Sequence, residues 1–232
     1  MKAQRNNMET QIKSLEAFVI RLQKEAAEFL TNSKIIINGI VIQPTEIEVY
    51  YYQKGEFADT TVHRNELQQK NAYHFYIHRH GKLKSDSYKG GNRSGIDYVL
   101  SNKENIYYTY LIRSAIINDQ LIIGPHKVLV ALLGATHLSQ TDIESNIIPI
   151  STNKVTGDVL FSERIHLGKD AGDFRNLRLR AVLCDDTFIH RKYPAKEHMI
   201  TDYIKYTNMP KEQAIEFAYT KLGYIPKEIK QL

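Results

Sequence analysis

The segment Thr45-Glu-Ile-Glu-Val-Tyr-Tyr-Tyr52 sets acidic side chains inside an apolar and aromatic run that reads as a β-strand. No other stretch restricts the fold as much. A carboxylate such as Glu48 in this setting must meet a cation, or have its pKa moved until it can do acid–base work. The fold therefore has to bring a partner to it. A second apolar strand, Tyr110-Leu-Ile-Arg-Ser-Ala115, offers Arg113. One Glu and one Arg set in otherwise apolar strands read as a site.

The rest of the chain narrows what that site can be. At 232 residues, with ordinary apolar content and no low-complexity tract, the chain is a folded protein with one sizeable core. Its single cysteine, Cys184, excludes an internal disulfide framework and any Cys-based zinc centre. That suits a reducing compartment, so a cytoplasmic, intracellular location is expected. The first residues lack an apolar signal core, and no apolar run approaches the ~20 residues that span a bilayer, so no membrane association is expected. Neither a Gly-x-Gly-x-x-Gly nor a Walker loop occurs, and no cofactor is expected. The net charge of +5 favours a polyanionic partner. Basic residues gather in Lys82-Leu-Lys-Ser-Asp-Ser-Tyr-Lys-Gly-Gly-Asn-Arg93 and in Arg175-Asn-Leu-Arg-Leu-Arg180, which together favour nucleic acid.

Apolar residues from Met8 to Leu30 recur at spacings of three and four, predicting an amphipathic helix over 8–31. Lys34 to Ile42 reads as a hairpin around Asn38-Gly39. The Glu48 strand follows, then a polar loop with a short helix over 53–71. Strands are predicted at His74–Arg79, Gly95–Leu100, Tyr107–Ile117 and Leu121–Ile123. Gly124-Pro125 opens a helix that Gly134 is expected to end. Residues 141–168 read as short strands and turns, and 177–183 as a strand. Helices follow at 199–206 and 210–222, with Asn208 as a cap and Gly223 as a stop. The expected fold class is α+β: a curved, mostly antiparallel sheet flanked by helices in one domain over 1–195. Residues 196–232 form a helical C-terminal extension packed on it.

The order of these pieces resembles the alkylpurine (3-methyladenine) DNA glycosylase family, of the alkyladenine glycosylase type, over residues 26–190. Glu46-Ile-Glu-Val-Tyr50 is similar to the family's Glu-Thr-Glu-Ala-Tyr, which places the catalytic glutamate on Glu48. Leu111-Ile-Arg-Ser114 resembles its Leu-Leu-Arg-Ala segment and places the companion arginine on Arg113. Gly124-Pro-His-Lys-Val128 matches its Gly-Pro-Ser-Lys-Leu helix start, and Arg164-Ile-His-Leu-Gly168 its late strand-turn. The family's Thr-Pro-Arg-Asn stretch is absent. Its tyrosine wedge has no clean counterpart, Arg79 lying closest, and an asparagine that rejects guanine is Asp97 here. Chemistry thus carries over better than substrate.

The resemblance implies a monofunctional DNA glycosylase. Cleaving an N-glycosidic bond passes through an oxocarbenium-like sugar, and a carboxylate both stabilises that charge and deprotonates the attacking water. Glu48 takes this role, with Arg113 keeping it ionised. Glu46 is expected on the opposite strand face, as a structural residue or salt-bridge partner. The base must be flipped into a pocket, whose walls are expected from Tyr50, His63, Tyr76 and Asp97. On the strand Tyr73-His-Phe-Tyr-Ile-His-Arg-His80, three histidines share a face with Tyr76; with no Cys or close acidic ligand beside them, no metal is expected. Lys82, Lys84, Lys89, Arg93 and Arg178 are expected to contact phosphates, and Tyr88 or Arg79 to act as a wedge.

The expected partner is double-stranded DNA, bound by a monomer. The substrate is an alkylated purine or another modified base. Bulky hypermodified bases of invading phage DNA, such as a modified cytosine, are a second version of the same chemistry. The rival of another class is a non-catalytic nucleic-acid-binding protein on this scaffold. A lyase using a lysine amine ranks last, because no lysine lies in the aligned strands.

Overall fold

The computed structural model describes residues 2–70, 72–81, 86–148 and 150–232, with the side chains of all but 2–14 and 169. Lys82 and Lys84, expected at phosphates, lie outside the described residues. The fold is α+β: a curled antiparallel half-barrel sheet with flanking helices and a helical C-terminal layer. Among the described residues no helix is long and apolar enough to cross a membrane.

Helix α1 spans Lys2–Asn32 and leads into β1 (Ser33–Ile37) and β2 (Ile40–Gln53). The turn between these strands puts Asn38 and Gly39 at φ of 49° and 78°, the double left-handed conformation that twists a two-residue hairpin correctly. After β3 (Phe57–Ala58) and α2 (Leu67–Lys70) come β4 (Phe75–Ile77), β5 (Ile96–Val99), β6 (Ile106–Ile117) and β7 (Gln120–Ile123). Helices α3 (Pro125–Thr136) and α4 (Gln140–Ser145) precede β8 (Ile150–Thr152), β9 (Asp158–Ser162) and β10 (Arg180–Cys184). The sheet runs β4-β5-β6-β2-β1-β8, with β3 and β10 also on β2, β7 on β6 and β9 on β10.

Strand β2 is the spine of this sheet, and its two faces differ in kind. Ile47, Val49 and Tyr51 point to one side. There they join Phe75, Ile77, Tyr98, Tyr110 and Ile112 under Leu22, Ala26, Phe29 and Leu30 of α1 in the main core. The other side carries Glu46, Glu48 and Tyr50. Antiparallel pairing aligns Glu48 with Leu111, Leu111 with Asp97, and Asp97 with Tyr76, so these side chains share that second face. It too is closed off from water: Glu46, Glu48, Asp97 and Tyr76 are all buried.

The C-terminal layer helps close it. Helices α5 (Lys196–Tyr206), α6 (Lys211–Leu222) and α7 (Lys227–Lys230) build a second core in which Met199, Ile200, Ile204, Ala214 and Ala218 meet Leu160 and Val182 of β9 and β10. The Gly223 stop at φ 81° is as the sequence suggests. Two helix ends differ. Gly134 does not end α3, which continues to Thr136 because the buried Thr136 packs there and Asn38 Nδ2 donates to its carbonyl at 2.8 Å; left-handed His137 ends the helix. Asn208 is left-handed, beyond α5, and Pro210 starts α6. Residues 141–168 also hold the capped helix α4, where Ser139 and Asp142 form a capping box.

Candidate active site

Glu48 is completely buried and meets three partners. Arg113 Nη1 lies 3.2 Å from Oε1, the backbone N–H of Ile165 donates to Oε1 at 3.0 Å, and the Tyr50 hydroxyl donates to Oε2 at 2.9 Å. One cation and two donors therefore stabilise negative charge on this carboxylate. Tyr50 is fixed in turn by Arg164, whose guanidinium carbon sits 4.7 Å from its ring centre while pairing with buried Asp59 at 2.7 Å. Burial, with the Glu48 charge behind it, pushes the Tyr50 hydroxyl pKa well up, so it stays a donor.

Glu46 does not face away from Glu48. Residues two apart on a strand share a face, and Arg113 Nε reaches Glu46 Oε1 at 3.3 Å while its Nη1 serves Glu48. The ladder shifts register at Glu46, where a β-bulge brings Ser114 Oγ to Oε2 at 2.6 Å. Arg180, from β10, donates to Glu46 Oε1 at 2.8 Å and to the Pro194 carbonyl at 2.9 Å. Two glutamates and two arginines thus balance inside the protein. Burial disfavours the Arg113 charge, but Glu48 and Glu46 more than compensate and hold its pKa above the ordinary value.

Beside Tyr50 lies a polar cavity of about 50 Å³ lined by Tyr50, Thr61, His63, Gln68, His78 and Asp97. Strand spacing sets Asp97 roughly 10 Å from Glu48 across the sheet. Asp97 accepts from His78 Nε2 at 2.8 Å, Thr109 Oγ1 at 3.0 Å and Gln68 Nε2 at 3.4 Å. Burial works against its charge, yet His78, His63 and Thr109 hold its pKa below the usual value. Tyr76 is fully buried and meets His63 Nδ1 through its hydroxyl at 3.3 Å. Of the four residues expected as pocket walls, Tyr50, His63 and Asp97 line this cavity, and Tyr76 stands behind His63 outside its lining. The cavity admits a water or two, so a larger ligand enters only by displacing side chains.

The residues expected at DNA are less uniform. Arg79 is buried in a bidentate pair with Glu144 of α4, both contacts at 2.6 Å, and the Tyr88 hydroxyl donates to the same carboxylate at 2.8 Å. The reading of Arg79 as a wedge is corrected: it ties β4 to α4. Tyr88, half-buried with Arg79 4.4 Å over its ring, belongs to this cluster rather than to a free tip. Arg178 pairs with Asp202 of α5 at 2.8 Å and lies 3.8 Å over Tyr206, joining the C-terminal helices to the sheet. Arg93 is exposed. Lys89 turns inward, its ammonium 2.9 Å from His63 Nε2.

Several participants carry no local sequence signal: Arg180, Ser114, Ile165 N–H, Thr109 and Gln68 reach the site only through pairing between distant segments. A polar residue on the Glu48 face of a neighbouring strand was the available clue for Thr109. Among the described residues no cluster of three or more His, Cys, Asp or Glu is arranged to hold a metal ion. No protein-family model and no curated protein matches this chain, so the chemistry has to be read from the site's own residues.

Proposed function

We propose that the protein is a DNA glycosylase that takes a modified base from double-stranded DNA into the Tyr50–Asp97 pocket and hydrolyses its N-glycosidic bond with water activated by Glu48. The observation that carries this reading is the setting of Glu48: a buried carboxylate held by Arg113, Ile165 N–H and Tyr50, the last of which links it to a polar cavity. A carboxylate so fixed accepts a proton from water and faces the positive charge that develops on the sugar. Across the cavity, Asp97 is an acceptor, and the His78 ring it orients is the group placed to hand a proton to the leaving base. The resemblance of Glu46–Tyr50 and Leu111–Ser114 to the alkyladenine glycosylase pattern agrees with this division of labour. The protein acts as a monomer, and the substrate class is an alkylated purine or another modified base.

A panel of duplex oligonucleotides carrying alkylated, deaminated and otherwise modified bases tests this, with wild type beside Glu48→Gln. Wild type should release a base from at least one duplex, and Glu48→Gln should slow single-turnover release by about 10²–10⁴-fold with binding retained. Binding by wild type with no base released from any duplex would make the protein a non-catalytic DNA-binding module instead.

A further inference from the structure

We propose that Lys89 is a nucleophilic amine, activated by His63, that forms a Schiff base with the aldehyde of an abasic sugar. An activated nucleophile shows itself as a side chain within hydrogen-bond reach of a base that a third group orients. Lys89, His63 and Tyr76 have that arrangement. The Lys89 ammonium has no acceptor lone pair, so it donates to His63 Nε2 at 2.9 Å. The His63 proton then sits on Nδ1 and points to the Tyr76 hydroxyl at 3.3 Å. Tyr76 is fully buried beside Nδ1, and Nε2, which accepts the Lys89 hydrogen bond, is the atom placed to take a proton from the amine.

The backbone holds Lys89 in place. Its N–H donates to the His78 carbonyl at 2.8 Å, and the Arg79–Tyr88 bridge pins the preceding residue to the same strand end. A phosphate-binding lysine keeps its head in water, whereas this one is half-buried against a wall of the cavity. Burial lowers its pKa, with Arg93 adding to the effect and Asp97 opposing it. A lowered pKa puts more of the lysine in the nucleophilic neutral form.

The aldehyde rests on the proposed base excision, which leaves C1′ as a hemiacetal that opens to the free carbonyl; the activated amine does not rest on it. Lys89 passes one proton to His63 and its nitrogen adds to C1′. The carbinolamine oxygen takes the second nitrogen proton and then the proton held by His63, and leaves as water. The product is the protonated imine. Neutral His63 then accepts the C2′ proton as the 3′ phosphate departs, and water later releases the unsaturated aldehyde from Lys89. No oxidant or external reductant is needed.

Borohydride trapping on an oligonucleotide with a preformed abasic site tests the amine without any base excision. Wild type should give a covalent adduct that peptide mapping assigns to Lys89. Lys89→Met and Lys89→Arg, both compatible with a half-buried loop position, should lose it, and His63→Gln should slow trapping by about 10²-fold or more. The pH profile of trapping should also move upward in His63→Gln, because Asp97 and Arg93 still face the amine but no base accepts its proton. No wild-type adduct, an adduct surviving in Lys89→Met, or one mapping to another lysine would overturn the proposal. Trapping of the abasic duplex by a protein that releases no modified base would overturn the base-excision reading alone.

Discussion

Arg113 stands 3.2 Å from Glu48 through Nη1, and its Nε, on the same side of the strand, reaches Glu46 at 3.3 Å. One guanidinium thus serves two carboxylates, and Arg180 supplies the second positive charge through Glu46. Glu48 Oε1 is taken up by Arg113 and Ile165 N–H, while Oε2 accepts from Tyr50.

Removing the shared cation should therefore damage both stability and chemistry. Arg113→Met leaves two buried glutamates with one arginine between them. Breaking a buried pair in this way costs about 3–5 kcal/mol, to be read from urea unfolding. Glu48→Gln leaves Arg113 and Arg180 with Glu46 alone, but the amide still hydrogen-bonds Arg113 and Arg113 keeps Glu46, so the variant should cost less stability while losing more activity. Equal stability losses in the two variants would contradict the shared-cation arrangement.

Tyr50→Phe isolates the hydroxyl from the ring. The ring stays under Arg164, so packing is kept and a charge-assisted hydrogen bond to Glu48 is lost. Such a bond contributes about 1.5–3 kcal/mol, and stability should fall by that much. If the same bond also positions Glu48 in the transition state, single-turnover base release should drop by roughly 10–100-fold. Unchanged unfolding would show that water replaces the hydroxyl.

Much of this arrangement was legible because β-strand periodicity is local. Glu48 and Arg113 stand out against apolar neighbours, and the hairpin at Asn38-Gly39 announces itself by residue type. The strands, the long first helix and the C-terminal helices follow the same short-range rules. What the sequence withheld depends on which segments pair. Arg79 reads as a wedge at the end of a strand until α4 brings Glu144 to it, and Arg178 looks like part of a cationic face until α5 brings Asp202. Glu46 is a different case: period two already puts it beside Glu48, and the bulge only refines its reach to Ser114. Lys89 reads as a phosphate contact from its basic surroundings, whereas a backbone bond to His78 turns it toward His63.

The Asp97–His78 pair should make stability depend on pH in a stated direction. The folded-state pKa of Asp97 lies below its ordinary 3.8, so the ionised form is favoured by folding. Its contribution is fully present above pH 3.8 and is lost as pH falls through the lower folded value. Asp97→Asn should therefore be less stable than wild type at pH 7, by about 1–3 kcal/mol, and the gap should close in acid below the ordinary value. Urea unfolding of both proteins from pH 7 down to pH 3 checks this; a gap that widens in acid would reverse the assignment.

Arg79 and Arg93 should separate when fold and DNA contact are measured side by side. Arg79 is buried against Glu144, so Arg79→Met strands a carboxylate that also anchors Ile77 N–H at 2.6 Å and Tyr88. The cost is stability, again about 3–5 kcal/mol, with the salt dependence of DNA binding unchanged. Arg93 is exposed, and Arg93→Gln should leave unfolding alone. If its guanidinium neutralises a phosphate, the slope of log K against log salt should fall in magnitude by about 0.9. The Arg79 variant thus reads the β4–α4 junction and the Arg93 variant reads the DNA surface. A loss of salt slope in Arg79→Met at full folded population would mean that the buried pair opens to meet the duplex.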